Sequence, residues 1–295
     1  MRSVLQTLVE HWDGSRWRIV PSPNPRYNGA EAVLSSVSAV SARDVWAGGW
    51  VGPSSHRTFV QSLFEHWDGN AWRIVPGPKF PPQQFTQVTG ITAAASNDVW
   101  AVTLSTVGGL AMHWNGKQWV VDNPGGYYSD LLCVTHLAPN DAWAAGTLIA
   151  HWNGQYWVSV PFPLPPGSGV FAQFQGISAV SPSDIWASGF AGIPSGSGYN
   201  DVPLVEHWNG SKWSMVSVNR YDVVDAVLAI AKNDVWNVGQ YSSDGLTEHW
   251  NGTRFSHVAH PRFIGAFHAI AEVTPNDLWA VGTDGKTVIE HYTVP

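Results

Sequence analysis

Short runs of alternating or near-continuous apolar residues, about four to eight long and punctuated by Gly, Pro, Asn, Asp and Ser, recur along the whole chain. No stretch sustains the i, i+3, i+4 spacing of a useful amphipathic helix. The pattern predicts strands throughout. Aligned on Asp-x-Trp, six segments superimpose without gaps over the ten preceding residues: LSSVSAVSARDVW ending at Trp46, VTGITAAASNDVW at Trp100, LLCVTHLAPNDAW at Trp143, FQGISAVSPSDIW at Trp186, VDAVLAIAKNDVW at Trp236 and FHAIAEVTPNDLW at Trp279. They are spaced by 54, 43, 43, 50 and 43 residues. A second block, His-Trp-Asn/Asp-Gly-x-x-Trp, starts at His11, His66, His113, His151, His207 and His249, with a weaker seventh copy at His291-Tyr292.

Each unit reads as four strands. Strand A precedes the Asp, near residues 33–40, 87–94, 131–137, 174–180, 224–230 and 267–273. A turn such as Ser181-Pro182-Ser183-Asp184 follows, strand B carries Asp-x-Trp, strand C ends in His-Trp, and Asn-Gly or Asp-Gly turns the chain into strand D. That turn sets Trp12 opposite Trp17 and Trp67 opposite Trp72. Repeats of this length, unable to bury both faces alone, predict an all-β fold: a six-bladed β-propeller of four-stranded antiparallel blades. The expectation is one domain over residues 1–295, closed by pairing of the N- and C-terminal strands. Seven candidate C strands for six slots leave Leu8–Trp12 and Val288–Tyr292 in competition for one place.

Composition sharpens this picture. The repeat columns hold 17 of the 18 tryptophans, and Trp50 alone stands outside them. Charged residues make up 13%, against about 25% in ordinary soluble domains, while 44% are hydrophobic. That composition fits a packed, turn-rich β protein rather than a disordered one. A net charge of −7 argues against nucleic-acid and membrane-surface partners. The single cysteine, Cys133, excludes an internal disulfide framework. No run resembles a signal peptide or a membrane span, so the chain as given reads as soluble, with localisation left open.

The paired signatures Ser181–Gly189 (SPSDIWASG) and Glu206–Trp213 (EHWNGSKW) resemble a large group of bacterial tandem-repeat propeller proteins, similar to the kelch and galactose-oxidase-like propellers. The resemblance covers almost the whole chain. It implies a propeller with a binding or scaffolding role, and no transferable substrate, cofactor or catalytic set. Within strand B the kelch double glycine occurs only at Gly48-Gly49, and the WD-repeat order and sialidase boxes are absent. Cys133 lies in a column of small residues in strand A, which favours packing over redox chemistry.

Repetition itself argues against chemistry in the conserved columns. Histidines at equivalent places on successive blades are too far apart to share a metal, so none is expected there. His66 and His207 are expected instead to bond the Asp that opens strand B, with Asp44, Asp98, Asp141, Asp184, Asp234 and Asp277 acting as turn caps. Trp67, Trp72, Trp100, Trp143, Trp208, Trp213 and Trp236 are expected to pack between blades.

Function is sought where the repeats disagree. The B–C and D–A loops share one face and vary in length, carrying among others Tyr127, Tyr128, Tyr199 and Tyr221, with Trp50 at their edge. The position nine residues before each Asp also diverges: Ser35, Thr89, Leu132, Gln175, Asp225 and His268. Gln175, Asp225 and His268 are candidates to hold a small polar ligand at the channel mouth, and a His beside an Asp can serve as a base. No nucleophile elbow, phosphate loop or paired-carboxylate motif accompanies them. The expectation is a monomeric, non-catalytic module recognising a glycan or protein, without cofactor. The alternatives are a propeller hydrolase or lyase and a purely structural repeat protein.

Overall fold

The computed structural model describes residues 4–25, 30–53, 60–81, 83–168, 171–196, 198–218, 222–274 and 276–293. The fold is all-β, a six-bladed propeller of antiparallel sheets, as the repeats predict. Its contacts divide the chain into two compact units, Met1–Asn140 and Asp141–Pro295.

In the first unit, β1 (Val9–Trp12) and β2 (Trp17–Val20) form a hairpin of their own. Two full blades follow: β3 (Ala30–Ser41), β4 (Asp44–Pro53), β5 (Gln61–Trp67) and β6 (Trp72–Val75), then β7 (Thr86–Ala95), β8 (Asp98–Ser105), β9 (Leu110–Trp114) and β10 (Trp119–Asp122). The unit ends on β11 (Leu131–Ala138), strand A of the third repeat. In the second unit the third repeat supplies β12 (Asp141–Gly146), β13 (Ile149–Trp152) and β14 (Trp157–Ser159). Next come β15 (Phe171–Ser181), β16 (Asp184–Ser195), β17 (Gly198–Trp208) and β18 (Trp213–Met215), then β19 (Asp222–Ala231), β20 (Asp234–Tyr241), β21 (Asp244–Trp250) and β22 (Phe255–His257). The last sheet has three strands, β23 (Ala266–Thr274), β24 (Asp277–Thr283) and β25 (Thr287–Thr293).

The surplus C strand is real. Among the described residues, β1 pairs with β2 and β25 with β24, each within its own unit.

Every C–D turn sets its two aromatic residues opposite each other, as at Trp12↔Trp17, Trp67↔Trp72 and Trp208↔Trp213. The side chain that shapes this turn is the Asx after His-Trp. Asn209 Oδ1 accepts from the backbone N–H groups of Ser211 and Lys212 at 3.0 and 3.1 Å, and Asn115 and Asn251 do the same in their blades. The following Gly210 adopts φ +90°, a conformation natural to glycine.

The Asp column makes the expected tie to the histidines, and its carboxylates hold indoles as well. The ring Nε2–H of His66, His113, His151, His207, His249 and His291 donates to Asp44, Asp98, Asp141, Asp184, Asp234 and Asp277 at 2.7–3.0 Å. The indole N–H groups of Trp143, Trp186, Trp236 and Trp279 donate to the same oxygens at 2.8–3.1 Å. Each such histidine lies over the B-strand indole, with centroids 4.3 Å apart for Trp100–His113 and Trp143–His151. A charged acceptor half-withdrawn from water locks the ring that fills the wedge between blades.

Those rings are the core. Trp46, Trp100 and Trp186 are 1–2% exposed. Burying about 150–250 Å² of indole at 25 cal/mol/Å² gives a gross gain of roughly 4–6 kcal/mol per ring. Serines of strand A stitch neighbouring blades: Ser38 Oγ accepts from Ala93 N–H, and Ser178 Oγ from Ala229 N–H. Carboxylates are buried there as well. Glu206 on β17 is 0% exposed, and neither of its oxygens has a hydrogen-bond partner among the described residues.

Candidate functional site

The divergent column nine residues before Asp has a structural cause. In each described A–B ladder the register slips at this residue: between Leu34 and Ser36, Val88 and Gly90, Phe174 and Gly176, Val224 and Ala226, and Phe267 and Ala269. Ser35, Thr89, Gln175, Asp225 and His268 are thus the extra residues of β-bulges, left without a cross-strand partner and re-aimed out of the pleat. The bulge explains the glycine of strand B. A Cβ on Gly189 would stand 2.0 Å from the carbonyl oxygen of Gln173, and one on Gly239 would stand 1.9 Å from that of Val223. Only a residue without a side chain lets that carbonyl in. The signal was present in the sequence, as Gly49, Gly146, Gly189, Gly239 and Gly282 five residues after Asp, with Thr103 as the exception.

The six positions do not behave alike. In the first unit Ser35 is exposed, and the Thr89 hydroxyl is within 2.8 and 3.2 Å of the carbonyls of Leu131 and Val102, a partnership within the fold. In the second unit His268 Nδ1–H donates to Asp225 Oδ2 at 3.0 Å, joining β23 to β19. The pair is open to solvent on the histidine side, with side-chain exposures of 54% for His268 and 24% for Asp225. Burial pushes the Asp225 carboxyl above its usual range, and the bond from His268 opposes that rise. Gln175 takes another course: its amide N–H donates to Gln173 Oε1 at 3.2 Å on its own strand. The structure therefore joins two of the three expected polar residues. Among the described residues no group of three or more His, Cys, Asp and Glu side chains is placed to hold a metal ion.

The loop aromatics divide similarly. Tyr199 lies near the tip of the long β16–β17 hairpin, 52% exposed, with its ring edge-on to Phe171 at 5.7 Å. Phe171, 37% exposed, also meets Phe190 at 5.9 Å. Gly192 makes room for this cluster, because a Cβ there would lie 2.5 Å from the Phe171 ring. Exposed Asn200 and Asp201 follow Tyr199 on the same hairpin. Phe171 belongs with the loop aromatics that the sequence places on this face, Phe190 is an addition, and register, Gln173↔Phe190 and Pro194↔Tyr199, brings the rings together. In the first unit Tyr127 and Tyr128 stand on a 3-10 turn, Gly126–Tyr128, and are 71% and 100% exposed.

Trp50 is a correction. It is 8% exposed within β4, opposite Val33 and Ser62, and belongs to the core rather than to a binding surface. Strand β4 runs on past its repeat columns, and that extra length buries the ring. Tyr221 lies outside the described residues.

No family model matches the chain, and no curated protein sequence matches it. Solved structures do resemble it. A structure of YCF48 bound to D1 peptide is 14% identical, with a TM-score of 0.57 over 92% of this chain and 84% of that one. The structure of U3-55K is 11% identical, with a TM-score of 0.60 over 91% and 79%. A PQQ-bound aldose sugar dehydrogenase from Streptomyces coelicolor is 14% identical, with a TM-score of 0.52 over 89% and 94%. At these identities the likeness is one of fold alone. Among the described residues, no helix is long and apolar enough to cross a membrane.

Proposed function

We propose that this chain is a non-catalytic binding module of one propeller domain that engages a protein partner through the face bearing the B–C and D–A loops. The observation that carries the reading is the Phe171–Phe190–Tyr199 cluster. Large rings are held partly in water by a rigid hairpin, with a glycine opened beneath them. Aromatic anchors that need little ordering are the side chains most often dominant in protein recognition. The Asp225–His268 pair, which lies at the starts of neighbouring A strands, supplies a polar contact on the same face. A solved propeller whose description names a bound peptide supports this class of ligand.

A glycan is the second reading, favoured by Tyr199 lying beside Asn200 and Asp201, since sugars stack on a ring while their hydroxyls bond neighbouring amides and carboxylates. Peptide and glycan arrays probed with the wild-type chain and with Tyr199→Ala and Phe171→Ala separate the two. The protein reading expects peptide binding that weakens about thirtyfold in Tyr199→Ala, the scale of an interface hot spot. Binding confined to glycans transfers the assignment to the second reading. Binding that is indifferent to both substitutions overturns the site.

A further inference from the structure

Within the first unit, a groove of about 500 Å³ runs between the segment that leaves β6 and the β9–β10 hairpin. One wall carries Lys79; the other carries Trp114, Lys117, Gln118 and Trp119. Both indoles are fixed by the fold. Trp119 stacks on Phe64 at 4.1 Å and meets Trp46 edge-on at 6.3 Å, while the Trp114 N–H donates to the carbonyl of Ser96 at 3.2 Å. Each ring is only partly buried, so some of its surface faces solvent.

The two ammonium groups face the groove without an acid. In the first two C–D turns the nearby cation is paired by the Asx residue of its own turn: Arg73 donates to Asp68 at 2.7 Å, and Arg18 to Asp13. The β9–β10 turn carries neutral Asn115 instead, whose oxygen accepts from the backbone N–H groups of Lys117 and Gln118. Among the described residues no carboxylate lines the groove, and both lysines are exposed. The arrangement is particular to this wedge. Counted from the tryptophan that opens strand D and from the next His-Trp, the equivalent pairs are Asn24 with Asn70, Gly126 with Gln155, Leu164 with Ser211, and Arg220 with Thr253, never two cations.

We propose that this groove binds an acidic glycan through a uronic-acid residue, its pyranose ring against Trp114 and Trp119 and its carboxylate paired with Lys79 and Lys117. The donors on offer belong to side chains, the two ammonium groups and the Gln118 amide. Pro76 and Pro78, which also line the groove, have no N–H with which to hold a peptide main chain. The fitting ligand brings its own acceptors and an apolar face, and a sugar acid has both in its hydroxyls, its carboxylate and its C–H surface. Two cations in a chain of net charge −7 do not attract a densely charged polymer, whereas one carboxylate per ring matches them. The volume lies in the range of small-molecule sites. This groove shares no residue with the aromatic cluster of the second unit and stands or falls without it.

The probes are tetramers of galacturonate, glucuronate and mannuronate, the methyl ester of each, dextran sulfate and a hexaglutamate peptide, titrated calorimetrically into the intact chain. At least one uronate is expected to saturate the protein and to change its tryptophan fluorescence. Its methyl ester should bind about tenfold more weakly or worse, the scale of a hydrogen bond to a charged group. Lys79→Gln and Lys117→Gln should each weaken the uronate about tenfold and leave the unfolding midpoint in place, because both side chains are exposed. Tyr199→Ala should bind as the wild type does. Failure of every uronate to saturate, equal binding of the ester, or indifference to both lysine substitutions overturns the proposal. Loss of binding in Tyr199→Ala overturns it too, since the sugar then sits on the loop face. So does tighter binding of dextran sulfate or hexaglutamate, since the groove then serves another anion.

Discussion

Glu206 allows a quantitative test of how this fold tolerates charge between blades. Its carboxyl is fully buried with no bonding partner among the described residues, and burial raises its pKa from 4.5 to about 8. A raised folded-state value means that the acid is most at home when protonated. Its stabilising share is complete below pH 4.5 and is lost as pH rises through about 8. Linkage sets a ceiling of roughly 5 kcal/mol above pH 8, at about 1.36 kcal/mol per unit. Relaxation and water entry in real interiors cut such penalties, so roughly 2–3 kcal/mol is the expected cost of the charge. Glu206→Gln keeps the shape and removes the titration. Glu206→Met copies Met112, which fills the equivalent place on β9 at 0% exposure. The assay is urea unfolding followed by tryptophan fluorescence at several pH values from 4 to 9. Glu206→Gln should match the wild type near pH 4 and gain steadily above it, reaching the full difference by pH 8 to 9. A gain that does not change with pH refutes the reasoning, because it would come from packing and not from ionisation.

Three further outcomes follow from the same geometry. Gly189→Ala forces a Cβ onto the Gln173 carbonyl and should cost about 3 kcal/mol or more, or abolish soluble expression, whereas the exposed Gly198→Ala, with nothing within 4 Å, should change the midpoint little. Asp184→Ala strips both the His207 ring and the Trp186 indole of their acceptor. It should cost about 2–3 kcal/mol, and a double-mutant cycle with His207→Ala should show coupling of about 1 kcal/mol. Partial desolvation and the neighbouring Asp234 push the carboxyl of the exposed Glu272 up, so its stabilising share is lost as pH rises. Glu272→Ala, the residue found at this point in four other repeats, should raise the thermal midpoint at pH 8 more than at pH 5.

The repeat arithmetic located the blades and their strands because the spacing of Trp, His and Asp is local information. Position relative to Asp-x-Trp and the turn chemistry sufficed for the cross-strand tryptophan pairs and the His–Asp tie. The bulges left two marks in the sequence, a column of disagreement in strand A and a glycine five residues after Asp in strand B. A slipped register depends on the facing strand, and nothing in strand A alone marks Asp225 or His268 as unpaired. The indole bonds of the Asp column were missed for a related reason. Asp and Asn both shape turns, and only the fold shows that Asn209 shapes one while Asp184 holds two rings. Trp50 was misplaced because an extra residue type outside a repeat reads as surface, whereas a strand that runs on buries it. Gln175 sits in the right column, yet a side chain on its own strand, Gln173, takes its amide, an outcome that spacing does not encode.

The slipped residue in strand A separates two selective pressures that elsewhere in a protein act on the same atoms. Framework positions are held by indoles, glycines and carboxylates whose substitution is costly, while the residue at the slip contributes almost nothing to the ladder and is free to be serine, threonine, glutamine, aspartate or histidine. A gene that duplicates such units multiplies addressable positions without endangering the scaffold. An engineer can exploit the same freedom by writing new side chains into Ser35, Gln175 or Asp225 and leaving every other residue alone.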